Sequence, residues 1–491
     1  MTFSILNLLG GLTLAAASML PQSWPSVSYK TEPFTSPLLN VTRTGPTAPG
    51  LIWFSPAVFF PQQGGPPTSE LSPFLVTQEG EVVFHGPNYP ASQPDFFANF
   101  RPQMFSNGTI LSYYLGQFGP SMEQALGNVT FLDSNLMVTN TICLADYPSY
   151  IPGGKDYPCK VDLHESRRLS NDRFLVTTHN FTQTDLSAVG GPKDGWVTDS
   201  QFLVINPYTE EIYFKWSSLD HLDKLPYFHI NSVDEFENGY VISARHFSSV
   251  VFIDEHGEVT YRLGGVDGQD FKLDPAATFG YQHDVHARRE TDGSIMVTMY
   301  DDENYDVPPI SEDKRSSALS VRLDTKDMTA KLDRRLFSND TVQAIGLGSW
   351  QDQPNGHVFV GDATFPSMSE FDENNKEVWN MRYGFTGPGS FRAYKFTDWK
   401  STPSYPPKVF AESLQDGSAV VHMSWNGATE VASWRVLAVV GSNATFVDVG
   451  TVKKSGFETS YTVNREGVKE VMVMALDADG KHLSTSVAFS L

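Results

Sequence analysis

The sequence predicts an all-β protein: a six-bladed β-propeller followed by a C-terminal β-sandwich of fibronectin/immunoglobulin-like size. Two recurring units carry that expectation. Short β-rich runs that follow a turn begin at Asn107 (NGTILSYYL), Asn171 (NDRFLVTTH), Asn238 (NGYVISARH), Asp292 (DGSIMVTMY) and Asn355 (NGHVFVGDA), the pattern of hairpins closed by Asn-Gly or Asp-Gly. A second unit, an apolar strand, an acidic or Asn turn and a strand ending in a bulky residue, begins at Phe74, Phe202, Val250 and Met368, with a degraded copy from Leu319. One hairpin of each kind makes a four-stranded antiparallel sheet, and such sheets bury both faces by stacking radially on their neighbours. No amphipathic helices separate the strands, which excludes a parallel α/β fold.

Taken in order, the chain opens with MTFSILNLLGGLTLAAASML, an apolar run followed by Ala15, Ala16 and Ala17. It is expected to be a secretory signal peptide over residues 1–17, although it lacks a positive first segment. Residues 18–44 form an N-terminal extension, and the repeats place the propeller over 45–400. The stretch STPSYPPKV supplies a Pro-rich linker at 401–407. Short alternating strands over 408–491 then predict the sandwich, with Trp425 and Trp434 in its core.

Composition bounds the function. The chain has 491 residues, with 35 Lys and Arg against 57 Asp and Glu, for a net charge of -22. That balance excludes a nucleic-acid binder, which needs a basic surface to neutralise phosphates. Secretion is expected on two further grounds. Asn40, Asn107, Asn128, Asn180, Asn339 and Asn443 each begin an Asn-X-Ser/Thr sequon, and Cys143 and Cys159, the only cysteines, are expected to form one disulfide closing a loop over the channel mouth. The expected location is outside the cell or in the secretory lumen, with no membrane association after signal cleavage.

The candidate site lies in the hairpin repeats. His164, His229 and His283 each sit shortly before a repeat turn. Equivalent positions of successive blades lie at equivalent heights, so the three imidazoles are expected to line one cavity. Strand alternation puts Asn231 on the face of His229, and Arg245 is expected on the return strand, converging on the same surface. Asp301, Asp302, Glu303 and Asp306 form an acidic stretch without the spacing of a calcium loop, expected to be solvated. No cofactor and no metal are expected, and no Gly-rich phosphate loop is present.

Five segments resemble the arylsulfotransferase-type propeller family, in its fungal secreted branch: Asp162 to Glu165 (DLHE), His229 to Asn231 (HIN), Ser243 to Arg245 (SAR), YRLGG ending at Gly265, and Gln282 to Asp284 (QHD). SWNGATEV from Ser424 is similar to that branch's C-terminal domain, whereas bacterial members carry their sandwich at the N-terminus. The resemblance implies that His283 takes the place of the nucleophilic His and that His164, His229, Asn231 and Arg245 take the sulfuryl-binding positions. It also implies sulfuryl transfer between phenolic or aryl small molecules, in fungal secondary metabolism. Two other uses of the same pocket stand beside it: hetero-Diels-Alderase-type cycloaddition in a natural-product pathway, and non-catalytic binding by a secreted protein.

Overall fold

The computed structural model describes residues 24–57, 70–87, 89–90, 95–119, 124–149, 157–221, 228–265, 268–302, 315–385, 389–442 and 445–491. The expected signal peptide, the sequon at Asn443, and Glu303 and Asp306 lie outside them. The protein is all-β. Among the described residues the one α-helical segment is Ser218–His221.

Six sheets of four or five strands follow one another along the chain. The first pairs Asp95–Phe105, Gly108–Phe118, Ala125–Leu132 and Val138–Ile142 in sequence order, and the second does the same with Ser166–Arg168, Phe174–Thr184, Gly195–Ile205 and Ile212–Ser217. Ile230–Phe236, Gly239–Ala244, Ser249–Ile253 and Val259–Gly264 make the third. The fourth runs His283–Arg289, Ile295–Asp301, Ser317–Asp324 and Thr329–Leu336, with Lys272–Leu273 added in parallel at its edge. The fifth contains Ser349–Asp352, Val358–Gly361, Ser367–Phe371 and Glu377–Arg382, and Asn40–Arg43 joins it as an outer strand. In the sixth, Gly389–Phe396 pairs with Leu51–Ala57, followed by Phe74–Val76 and Val82–His85. Strands from the two ends of this region therefore share hydrogen-bonded sheets, which locks its ends together.

The turn chemistry is as the repeats require. Gly293 and Gly356 adopt φ of 86° and 83°, the left-handed region open to glycine without a Cβ clash. The middle strands are buried on both faces, as in the uniformly buried Ser249–Ile253, because each sheet is covered on both sides. Phe131 of the first sheet clusters with Phe174 of the second, Trp216 with Ile242 of the third, and Phe252 with Val297 of the fourth. Tyr300 then clusters with Trp350 of the fifth, Trp379 with Phe54 of the sixth, and Trp53 of the sixth with Phe97 of the first.

Where the leading strands meet, charge is buried deliberately. Arg392 places Nη1 and Nη2 2.9 Å from Glu165 Oε1 and Oε2, and Nε 3.0 Å from Asp284 Oδ1. Its Nη2 also donates to the carbonyls of His164 and Asn231, at 3.1 and 3.3 Å. Arg101 adds a 3.1 Å contact to Glu165, and the Trp350 backbone N–H donates to Asp284 at 3.0 Å. One network thus spans all six sheets. Burial opposes ionisation of Glu165, but Arg392, Arg101 and Arg167 outweigh it and hold that carboxyl below its ordinary value. His286 bridges Asp234 (2.5 Å) and Asp284 (3.3 Å); burial disfavours its cation, yet these two carboxylates push it up to about 9.

Beyond residue 400 two further sheets share one core. Lys408–Ser413, Ala419–Ser424 and Thr459–Val463 form one; Val447–Lys453, Ser433–Val440, Val468–Leu476 and His482–Thr485 form the other. Met423 and Val421 meet Trp434, Val436 and Val473 between them, and Trp425 and Trp434 are both buried. Asn426 clamps this unit to the sixth sheet like one more strand residue, accepting from His85 N and donating to His85 O, each at 2.8 Å. A cavity of about 830 Å³ lies in this junction, walled by Phe84, Tyr113, Tyr405 and Phe410.

Replacing Arg392 by Met is expected to cost about 3–5 kcal/mol, the usual loss when one member of a buried ion network is removed, read from the urea midpoint. The His286 interactions are complete below pH 6.5 and are lost as pH rises through about 9, because the folded state alone holds the proton there. Thermal midpoints measured from pH 6 to 10 should therefore fall across that window, and His286→Gln should flatten the fall.

Candidate functional site

The three histidines stand at matching points, each at or just before the leading strand of its sheet. His164 lies in the bend before Ser166–Arg168, His229 immediately before Ile230–Phe236, and His283 opens His283–Arg289. The chain neighbours of His164 and His283 are Glu165 and Asp284, both held by Arg392. The buried ion network therefore fixes where these imidazoles point.

Asp162 orients His164. Its Oδ2 accepts from the His164 backbone N–H (2.9 Å), from His164 Nδ1 (2.6 Å) and from Thr177 Oγ1 (3.1 Å), while Oδ1 accepts from Ala125 N at 3.0 Å. Burial opposes the charge on Asp162, yet His164 and His179 hold it well below the usual carboxylate range. His164 Nδ1 thus carries a proton, and its Nε2 faces His229. His229 Nε2 lies 3.1 Å from it, so one ring donates to the other. Burial, then His164, His246 and Arg245, keep His229 neutral by holding its pKa well below 6.5.

His283 is oriented in the same way. Its Nδ1 lies 2.5 Å from Asp302 Oδ2 and 3.0 Å from the Tyr281 carbonyl. A carbonyl only accepts, so Nδ1 carries the proton and Nε2 keeps its lone pair. Burial, followed by Arg245, His164 and Arg392, holds the His283 pKa well below 6.5, so the ring is a neutral base. The Phe391 ring stands between the histidines, 5.7 Å from His164 and 6.4 Å from His283.

Arg245 departs from the expected return strand. Gly239–Ala244 ends one residue earlier, and Arg245 begins the 3-10 turn Arg245–Phe247, its backbone N–H donating to the His229 carbonyl at 3.0 Å. The turn swings the guanidinium over Tyr281, 5.0 Å from the ring centroid, with Nη2 donating to the Ile345 carbonyl at 2.8 Å. Among the described residues it forms no ion pair with a carboxylate. Its Nη2 and His283 Nε2 flank one point, the position of a Cβ on Gly346, 3.7 and 3.8 Å away.

Two more expectations are corrected. The strand alternation that placed Asn231 on the face of His229 does not hold: His229 takes φ of 35° and lies outside the strand, and the register shifts between Ile230 and Ser232. The Asn231 amide instead donates to the Gln282 carbonyl at 2.7 Å, bracing the residue before His283. Nor are Asp301 and Asp302 solvated. Both are buried, Asp301 against Arg335 at 2.7 Å and Asp302 against His283. Charge density alone hid the fact that Asp301 ends a core strand and Asp302 follows it.

Cys143 and Cys159 are disulfide-bonded; residues 150–156 between them lie outside the described ones. Asp162, His164 and His179 offer ligand atoms within 4.8 Å of one another, and the Asp162 carboxylate accepts four protein hydrogen bonds, one of them from His164 itself. The junction cavity is walled by none of His164, His229, His283 or Arg245. Sequence reasoning missed Arg392, Phe391, Tyr281 and Gly346, none of which stands in a repeat motif. Asp162 was legible within DLHE, two residues before the His it orients.

Solved structures with a likeness to the chain include a streptogramin B lyase, with 9% identity and a TM-score of 0.31 over 78% of this chain and 94% of that one. A catalytically inactive virginiamycin B lyase from Staphylococcus aureus with quinupristin has 8% identity and a TM-score of 0.31, over 78% and 96%. A levansucrase from B. megaterium has 10% identity and a TM-score of 0.33, over 64% and 89%. Similarity this low assigns neither activity nor ligand. No curated protein matches the chain. The family model described as arylsulfotransferase (ASST) matches residues 101–384, more than half of the chain and a span containing His164, His229, Asn231, Arg245 and His283. By that match, and with its imidazoles and guanidinium gathered as described, the chain belongs to the arylsulfotransferase family.

Proposed function

We propose that the protein transfers a sulfuryl group between phenolic or aryl small molecules, with His283 as the covalent carrier. One observation carries this reading: a neutral imidazole whose Nε2 lone pair faces the same small space as a guanidinium without a carboxylate partner among the described residues. A nucleophile beside a fixed cation suits attack on a sulfate ester, whose oxygens gain stabilisation from Arg245 as the bond to the leaving oxygen breaks.

In the first half-reaction the Nε2 lone pair forms an N–S bond and the aryl O–S bond breaks, its electrons leaving on the phenolate. The Nδ1–H, held by Asp302 and the Tyr281 carbonyl, supports the positive charge that develops on the ring. The phenolate then takes the proton of the incoming phenol, directly or through the His229–His164 pair, and leaves as a phenol. The acceptor oxygen attacks sulfur, the N–S bond breaks, and its electrons return to Nε2. Donor sulfate ester plus acceptor phenol become donor phenol plus acceptor sulfate ester, with no cofactor consumed.

The wider architecture fits a six-bladed propeller over 45–400, joined by the 401–407 linker to a β-sandwich over 408–491. Its support is the chain-order packing of the six sheets, with the sixth returning to the first. A secreted protein of the fungal branch, with residues 1–17 removed and 18–44 as an extension, is supported by the disulfide and by sequons at which Asn40, Asn107 and Asn339 are exposed. Peptide-N-glycosidase treatment of protein from a eukaryotic secretory host should lower its mass, with modified peptides mapping to these three positions.

Incubation with 4-nitrophenyl sulfate followed by intact-mass and peptide mass spectrometry should show one sulfo group on His283. His283→Asn should abolish transfer, because an amide cannot carry the group between half-reactions. Arg245→Ala should lower kcat/KM by about 100- to 1000-fold while still forming the adduct. The acid limb of the rate profile should lie below pH 6.5, since the nucleophile stays neutral there. Protein that never gains a sulfo group but accelerates a quinone-methide cycloaddition would shift the assignment to the hetero-Diels-Alderase reading.

A further inference from the structure

The segment Ala344–Gly348 forms the wall opposite His283, and its backbone cannot retreat. Ala344 N donates to Ser316 Oγ at 2.8 Å, Ile345 N to Thr364 Oγ1 at 3.3 Å, and Gly348 N to the Phe391 carbonyl at 3.1 Å. Leu347 is held at φ of 81°, a conformation that costs a non-glycine residue of order 1–3 kcal/mol and persists where the surroundings impose it. Gly348, at φ of 98°, lies so close to Tyr300 that a Cβ would meet the ring at 2.4 Å. The Ile345 carbonyl in turn holds Arg245.

Gly346 differs from Gly348. A Cβ on it would lie 3.5 Å from His283 Cε1, 3.7 Å from Arg245 Nη2 and 3.8 Å from His283 Nε2. These are ordinary van der Waals separations, so the fold would accept a methyl group there. We infer that Gly346 is a specificity-determining residue of the site: because it has no side chain, the approach between His283 Nε2 and Arg245 stays open to the tetrahedral oxyanion of the substrate. This rests on the sulfuryl-transfer reading and deepens it, because it names where the transferred group sits and what limits its size. A reacting atom must come within about 3–3.5 Å of the nucleophile before bond formation, and a methyl group on residue 346 would occupy that approach while leaving the Asp302 and Tyr281 contacts to Nδ1 intact.

The test compares wild type with Gly346→Ala and Gly346→Ser in the full chain by three measurements: thermal midpoint, calorimetric binding of inorganic sulfate, and the rate of His283 sulfation by 4-nitrophenyl sulfate. The expected result is an unchanged midpoint for Gly346→Ala, sulfate binding weakened at least about tenfold, and sulfation slowed about 100-fold, the scale of an ångström-sized misplacement at a reacting centre, with Gly346→Ser slower again. A raised KM together with a lowered kcat would mark a blocked seat. Sulfate binding and sulfation both at wild-type levels in Gly346→Ala would overturn the inference. If wild type binds sulfate but never becomes sulfated, and Gly346→Ala loses that binding, the oxyanion seat stands and the covalent reading falls. A lowered midpoint with weakened binding in Gly346→Ala, but wild-type binding in Gly346→Ser, would also count against it, since the larger group should block more.

Discussion

Everything in the site depends on the buried salt bridge of Arg392 with Glu165 and Asp284. Taking three charges out of water is expensive, and that cost is offset by close opposite charges and by added hydrogen bonds from Arg101 and the Trp350 backbone. Arg392 contacts Glu165 through both Nη atoms and Asp284 through Nε, with the backbone carbonyls of His164 and of Asn231 in the third sheet completing it. An apolar core could weld six sheets as firmly, but it would not dictate their rotation about a common centre. A guanidinium with fixed donor directions does. Each residue that grips the network has a chain neighbour in the site: Glu165 has His164, Asp284 has His283, and Arg392 has Phe391. At each pair the backbone departs from a regular ladder, with Asp284 at φ of 51° and register shifts after His283 and Ser390, and the network holds one member of the pair while its neighbour stands in the site.

The second level of organisation is protonic. In a chain of net charge -22, imidazoles near acidic groups would ordinarily gain protons. Burial and the cations Arg245 and Arg392 prevent that at His283, and burial with neighbouring His164 prevents it at His229. Asp162 and Asp302 then act less as charge partners than as tautomer selectors, each taking the Nδ1–H and leaving Nε2 turned inward. The outcome is one Nε2 against a neighbouring imidazole, at His164, and one that hydrogen-bonds to none of the described residues, at His283. That asymmetry sets His283 apart from the His164–His229 pair, although all three side chains are chemically the same.

Rigidity of the opposite wall gives the open lone pair its meaning. A strained Leu347, a Gly348 that tolerates no side chain and backbone bonds to Ser316, Thr364 and Phe391 hold Ile345 and Gly346 at a set distance from the imidazole. The same segment positions Arg245 through a backbone carbonyl, so the cation and the empty space belong to one mechanical unit. The C-terminal sheets stand apart from this chemistry. They grip the sixth sheet through Asn426 and His85 and leave an aromatic-walled cavity at the junction.

The sequence by itself determined the all-β class, the Cys143–Cys159 bond and the grouping of His164, His229, His283 and Arg245 within the family's span, because these follow from local signals. Turn residues recur at fixed offsets from apolar runs, the only two cysteines flank a short loop, and each His precedes a repeat turn. It also carried Asp162, adjacent to the His it orients. What only the tertiary structure decided are the interactions that join residues far apart in the chain. Arg392 reaches Glu165 across 227 residues, Arg245 reaches Ile345 across 100, and Asp302 closes on His283 from the next strand. Local pattern also misled where backbone irregularity intervened: a left-handed His229 and a shifted register broke the alternation expected around Asn231, and a 3-10 turn carried Arg245 off its strand. Periodicity reports which face of a regular element a side chain takes. It is silent where the chain leaves regular geometry, and this site is built at those departures, at the starts of strands and in the turns between them.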